Sequence, residues 1–317
     1  MILSPAPGSA VEPPAALLAV ETWRPAPADL DLDQPAGSQV LTLRSGAARI
    51  LLVAAPHLPV PLAEVRAWVA RGMAALTVFY GHFPVDEASV VVLADGGEAV
   101  HGGVTHDGRR ISVRLGAATT AADLADDWVI THEMFHLAIP DVGEGSHWLE
   151  EGAASYFEPL ARARAGQLAP AVLWRELIEG APQGQPERGD RGLDRTRSWG
   201  RTYWGGTLFW LLADLDIRDR TAGRKSADDV LRGLLAAGDD GSTHLEPAAL
   251  FAAGDRFVGL TALTTLHARQ GPRPETVDLA RLWRRLGVSL DDGTVHFDDG
   301  AEWAGLRRAM TAVPTPP

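Results

Sequence analysis

The 317-residue sequence predicts an α+β fold, with a small mixed sheet and a long helix in the N-terminal half and a mainly helical C-terminal half. Two patterns predict it. Short β-branched runs bounded by Gly and Pro alternate with helical patterns as far as residue 137, and beyond that point nearly every apolar pattern has a helical period. With 46% hydrophobic and 22% charged residues, the chain has enough apolar surface to bury a core.

Residues 1–37 are rich in Pro, Ala and Asp without sustained periodicity, which predicts an extended or poorly ordered lead-in. Residues 40–43 and 49–54 read as strands. Residues 61–80 read as a helix opened by Pro61, and 89–93 as a further strand. Gly96, Gly97, Gly102 and Gly103 mark a turn region. After it, Ile111, Val113 and Leu115 alternate with polar residues as in a half-buried strand at a sheet edge. A helix is expected from Thr120 to Leu137, stopped by Pro140, and a second from His147 to Ala165, stopped by Gly166. Helical patterns follow at 203–217, 226–236, 247–253, 255–268 and 274–286, with a hairpin at 289–297 around Asp292 and Gly293. The division expected is a lead-in (1–37), an α/β subdomain (38–145) and a helical subdomain (146–317), with a cleft between the last two.

Composition excludes several functions. A formal charge of −12 argues against a nucleic-acid or anionic-membrane surface, because phosphate binding needs clustered Lys and Arg. With no cysteine there is no disulfide, thiolate metal site or thiol catalysis, so any metal must be held by His, Asp or Glu. The apolar stretch at 15–20 is too short for a secretory signal, and no run approaches the roughly 20 residues that a membrane span needs.

The chemistry concentrates at His132-Glu133-Met134-Phe135-His136, an H-E-x-x-H sequence inside a helical pattern. Side chains four apart share a helix face, so both imidazoles reach one zinc ion while Glu133 lies beside them to take a proton from a water. A catalytic zinc also needs a third protein ligand. The segment Trp148-Leu149-Glu150-Glu151-Gly152 offers one on the next helix, where Gly152 permits close helix approach. Glu151 is preferred. Glu150 competes, but it points about 100° away around the helix, so the two cannot coordinate equally.

On these residues the chain resembles the gluzincin metallopeptidases, in particular the glycyl aminopeptidase family and more distantly the aminopeptidase N family. There H-E-x-x-H is followed by W-L-x-E-G, whose Glu is the third zinc ligand, and the resemblance places that ligand on Glu151. The interval from His136 to Glu151 is shorter than in aminopeptidase N, which favours the glycyl aminopeptidase side. Tyr203-Trp204-Gly205-Gly206 is similar to the Y-x-x-G element that supplies a transition-state tyrosine. Residues 212–221 and 223–231 resemble the family's following stretch. The resemblance covers roughly residues 40–310 and implies a thermolysin-like zincin catalytic domain without the family's full N-terminal β-domain and C-terminal PDZ-like module.

One departure concerns the substrate. Where the family has a Gly-Gly-x-Glu-His element on an edge strand, whose Glu binds a free amine, this chain has Gly102-Gly103-Val104-Thr105-His106. Gly102, Gly103 and Thr105 are candidate substrate-binding residues, and both endopeptidase and aminopeptidase action stay open.

The expected activity is peptide-bond hydrolysis by a water activated on one zinc per chain, with Glu133 as general base and Tyr203 as oxyanion donor. Its partner would be a peptide or protein substrate. The rival expectation is a zinc-binding but catalytically idle domain that captures peptides or a partner protein. For Tyr203 the plainer alternative is a packed aromatic beside Trp199, Trp204 and Trp210. Trp148 reads as a core residue, and Asp214, Asp216, Arg218 and Arg220 as a solvated or ion-paired helix face. His101 and His106 read as exposed loop histidines. The lack of cysteine, with the resemblance, points to an exported or periplasmic protein, a cytoplasmic one being the alternative.

Overall fold

The computed structural model describes residues 22–25, 33–97 and 99–313. Most of the expected lead-in, residues 1–21 and 26–32, lies outside these. Within it β1 (Arg24–Pro25) pairs with the strand that opens the sheet.

Six strands form one mixed sheet: β1, β2 (Gln39–Ser45), β3 (Ala48–Ala54), β4 (Glu87–Asp95), β5 (Val100–His106) and β6 (Arg110–Gly116), in the order β1-β2-β3-β4-β6-β5. β3, β4 and β6 run parallel and the other pairings are antiparallel. The parallel step from β3 to β4 is made by α1 (Leu62–Tyr80), which follows Pro61 and ends at the left-handed Gly81. Alternation gives the sheet its buried face. Leu41, Leu43, Ile50, Leu52, Val90, Ile111 and Val113 are all essentially inaccessible and join Trp68, Val69 and Met73 of α1 in one core. That core continues through the helices as far as Met310.

The helices after the sheet are α2 (Ala121–Asp126), α3 (Val129–Phe135), α4 (His147–Arg164), α5 (Pro170–Gly180), α6 (Gly206–Arg220), α7 (Ala227–Ala237), α8 (Pro247–Val258), α9 (Ala262–Gln270), α10 (Leu279–Leu286) and α11 (Ala304–Thr311). The hairpin of β7 (Val288–Asp291) and β8 (Thr294–Phe297) turns at Asp292 and Gly293 as expected. The architecture is α+β, with a mixed sheet and a helical second half.

α4 is the central helix and is buried along most of its length. It meets α6 backbone to backbone: a Cβ on Gly152 would stand 2.3 Å from the Cα of Gly206, and one on Gly206 would stand 2.2 Å from the carbonyl of Trp148. The Trp210 indole donates to the Leu149 carbonyl at 2.9 Å across the same contact. Farther along, Asp214 accepts from the Tyr156 hydroxyl (2.8 Å) and from Arg218 Nε (2.9 Å). Arg164 reaches Asp228 at 2.7 Å, which ties α4 to α7.

Several expectations are corrected. The helix expected from Thr120 to Leu137 is broken in two, because the Asp127 carboxylate accepts from the Ile130 amide (3.1 Å) and the Trp68 indole (2.7 Å) while the Asp127 backbone is extended. The turn region around Gly102 and Gly103 is part of β5, with a bulge between His101 and Val104. β5, not the strand at 110–115, is therefore the sheet edge. His101 and His106 are strand residues, bonded to Asp95 (2.9 Å) and Ser112 (3.1 Å). The charges at 214–220 are ion-paired as expected, but the Asp214–Arg218 pair is buried in the core and only Asp216 and Arg220 form an exposed pair. The break expected near residue 254 falls instead at Gly259. Residues 274–278 are not helical, since the Asp278 side chain caps α10. α5, with Pro170 in its first turn, and α11 were not foreseen.

The contact at residue 152 has no room for a methyl group. Gly152→Ala is expected to destabilise the protein by about 1–3 kcal/mol through overpacking, measured by denaturant unfolding. Gly145→Ala, with open space around the new Cβ, should be close to neutral.

Candidate metal centre

α3 carries His132 and Glu133, and His136 caps its C-terminus while keeping helical dihedrals (φ −64, ψ −16), so the two imidazoles stay one turn apart on one face. The last turn is tightened: the amides of His136 and Leu137 bond back three residues, each at 3.2 Å. The loop at 239–246 supports this end. The Gly241 amide donates to the Leu137 carbonyl at 3.0 Å, and the amides of Asp141 and Leu245 donate to the carbonyls of Thr243 and Asp141 respectively, each at 2.9 Å.

α4 delivers Glu151 from the opposite side. Its Oε2 lies 3.1 Å from His132 Nε2 and 3.6 Å from His136 Nε2, and the two nitrogens are 3.3 Å apart. Two nitrogens and an oxygen bound at zinc's usual 2.0–2.1 Å in a tetrahedron would stand about 3.3–3.4 Å from one another. The three observed separations bracket that value, and a His-His-carboxylate donor set without sulfur suits zinc. Among the described residues this is the one group of three such side chains whose ligand atoms all lie within 4.8 Å of one another, and it could hold a metal ion.

The electrostatics favour a cation. Burial alone would push the Glu151 carboxyl up, but hydrogen bonds from His132, His136 and His147 outweigh it and hold the group far below the usual carboxylate range. Burial lowers His136, yet the hydrogen bond it donates to Glu151 and the charges of Glu151, Glu133 and Glu150 raise it overall. Glu150 is turned away from the imidazole pair, its Oε1 lying 2.5 Å from His147 Nδ1. Of the two carboxylates, Glu151 is the one with an oxygen against the imidazole pair.

Glu133 sits beside the cluster and is 7% exposed. The Thr105 hydroxyl is 2.8 Å from its Oε2 and 2.9 Å from its carbonyl, so it donates to one or the other. β5 can come this near because Gly103 has no side chain: a Cβ there would be 2.7 Å from Glu133 Oε1. Tyr203 lies in a π-helical turn (Arg201–Gly205) ahead of α6, with its ring 6.4 Å from that of His132 and 5.6 Å from that of Trp199. Burial, followed by the negative charges of Glu151 and Glu133, pushes its phenol up to about 12, so it keeps its proton at neutral pH.

His132, Glu133, His136, Glu151, Tyr203, Gly102, Gly103 and Thr105 all line one cleft of about 920 Å³. Every sequence-predicted site residue is thus brought to a single place. Trp148 is not in it and packs in the core, as expected. Sequence reasoning missed His147, four residues before Glu151 and so on the same helix face; that spacing was a usable signal. It also missed Trp128, whose ring stands edge-on to His132 at 5.4 Å, and the rim from Gly241 to His244. Nothing local in the sequence marks that rim.

Solved structures with a similar fold include an aminopeptidase N family protein from Idiomarina loihiensis, with a TM-score of 0.64 and 14% identity over 82% of this chain and 52% of that one. The fold is one that zinc metallopeptidases use. An M1 zinc metallopeptidase mutant from Deinococcus radiodurans matches with a TM-score of 0.50 and 18% identity, over 81% of this chain and 53% of that one. An aminopeptidase A from Legionella pneumophila, in complex with aspartic acid, matches with a TM-score of 0.50 and 12% identity, over 74% of this chain and 28% of that one. The chain thus spans about half the length of the first two. No protein-family model and no curated protein matches the sequence. Among the described residues, no helix is long and apolar enough to cross a membrane.

The purified protein should bind about one zinc per chain, and Glu151→Ala should bind far less because the cluster loses its only carboxylate. Metal analysis after dialysis checks both. A wild-type protein that takes up no zinc on reconstitution would remove the basis of the assignment.

Proposed function

We propose that the protein is a zinc-dependent peptidase of the thermolysin-like gluzincin type, cleaving peptide bonds with Glu133 as general base and Tyr203 as oxyanion donor. One observation carries the reading: the donor atoms of His132, His136 and Glu151 are spaced as three corners of a small tetrahedron, in the wall of a cleft that also holds Glu133. Zinc bound there supplies Lewis acidity and lowers the pKa of a water towards neutrality.

The chain's own groups account for the rest. Glu133, held by the Thr105 hydroxyl, accepts the proton of the attacking water and returns it to the leaving amine. The Tyr203 phenol, protonated at neutral pH, donates to the oxygen on which charge develops, an interaction that strengthens only in the transition state. Trp128 and Trp199, which are 51% and 61% exposed, give the cleft mouth apolar surface for a peptide. The interval between His136 and Glu151 supports a site of the glycyl aminopeptidase kind. Thr105 carries no charge with which to hold a free ammonium group, and its hydroxyl is already committed to Glu133. That favours cleavage within a peptide over removal of its first residue.

Glu133→Gln should keep the metal and lose about 10²–10⁴-fold in turnover, the usual contribution of a positioned base; peptide cleavage assays with parallel zinc analysis measure this. Undiminished turnover would reject Glu133 as the base. Peptides with acetylated amino ends should be cleaved at rates comparable to their free counterparts, and strict dependence on a free amine would reverse the reading of Thr105. Binding of peptides by zinc-loaded wild type without any cleavage would instead indicate a capture domain.

A further inference from the structure

The two oxygens of Glu151 have different partners. Oε2 faces the imidazole pair, and Oε1 lies 3.1 Å from Nε2 of His147, one helical turn earlier on α4. The other nitrogen of that ring, Nδ1, is 2.5 Å from Oε1 of Glu150. A ring held at both nitrogens cannot turn without losing both bonds.

We propose that His147 is a positioning residue of the metal centre, fixing Glu151 so that Oε2 is the oxygen presented to His132 and His136. The inference rests on the zinc reading above. A glutamate carboxylate ends a chain of three rotatable bonds, and one that must meet two fixed imidazoles gains from an outer partner that removes the other orientations. Outer partners of this kind are typically worth about 10–100-fold in metal affinity. The i,i+4 relation puts His147 on the face of α4 that carries Glu151, whereas Glu150, adjacent in sequence, braces the ring from the side. Glu150 also offsets any positive charge on the ring, so Glu151 gains a hydrogen bond without a net cation beside the metal. His147 is not core filling, because its side chain is 52% exposed while that of Glu151 is 11% exposed.

The test uses the full chain as wild type, His147→Ala and His147→Gln, each freed of metal and titrated with zinc against a chromophoric chelator. His147→Ala should bind zinc about 10–100-fold more weakly, while its metal-free state still unfolds in one cooperative transition. His147→Gln should recover most of the loss, because its amide N–H reaches the same oxygen. The visible spectrum of the cobalt(II)-loaded alanine variant should differ from that of wild type, and the glutamine variant's spectrum should match it. Equal zinc affinity and equal cobalt spectra for wild type and His147→Ala would overturn the inference while leaving the peptidase reading intact. Unfolding of the metal-free alanine variant would also overturn it, by making the ring a packing element. Failure of wild type itself to bind zinc would overturn both.

Discussion

The structure depends on the burial of one carboxylate. Glu151 is 8% exposed, and a lone charge so placed is expensive unless it is paired. Its partners are three imidazoles from two elements, and the two that face Oε2 come from α3, a separate helix. α3 and α4 must therefore stand at a fixed distance, and much of the surrounding fold keeps them there. The Gly152–Gly206 contact sets α4 against α6 from behind, and the Asp214, Arg218, Arg164 and Asp228 network locks the far end. The loop at 239–246 braces the end of α3 at Leu137 and Asp141.

The cleft then divides its labour by element. Helices supply the candidate metal ligands, where a turn or a helix pair sets spacing rigidly. The edge strand supplies Thr105 and the bare backbone at Gly103, which together confine the Glu133 carboxylate. The π-helical turn supplies Tyr203, placed just before the point where α6 is pinned to α4. Such turns interrupt regular helix bonding and often occur at functional positions.

Much of the site was legible in the sequence because its information is local. His132 and His136 are tied by helical spacing alone, and Glu151 by a short segment beginning at Trp148. The choice between Glu150 and Glu151 was not fully local; it turns on which carboxylate α4 sets against the imidazoles of α3, and that oxygen is Glu151 Oε2. The fold was legible where periodicity was long, as in α1, and where a turn signal was explicit, as at Asp292 and Gly293 in the β7–β8 hairpin. It failed where a single side chain overrode the pattern. Asp127 breaks a continuous helical signal by taking the Ile130 amide and the Trp68 indole, 59 residues away from it in the chain. Gly102 and Gly103 looked like a turn because glycine is ambiguous between a turn and a bulged strand that another group must approach closely. Asp214 and Arg218 read as part of a solvated or ion-paired face; the pair forms, but in the core, because a charge pattern does not reveal that Tyr156 and the Ala227 amide also bind the carboxylate.

The seam between α4 and α6 has a consequence for how the protein tolerates change. Crowding between side chains is often relieved by trimming the neighbour. At this seam the neighbouring atoms are the main chain of residue 206 and the carbonyl of residue 148, which every amino acid carries. No second-site replacement on the facing helix shortens them, so relief requires one helix to slide or tilt as a body. Any such slide carries the acid at position 151 with it, and sequence drift at the seam is thereby coupled to the alignment of the pocket one turn away.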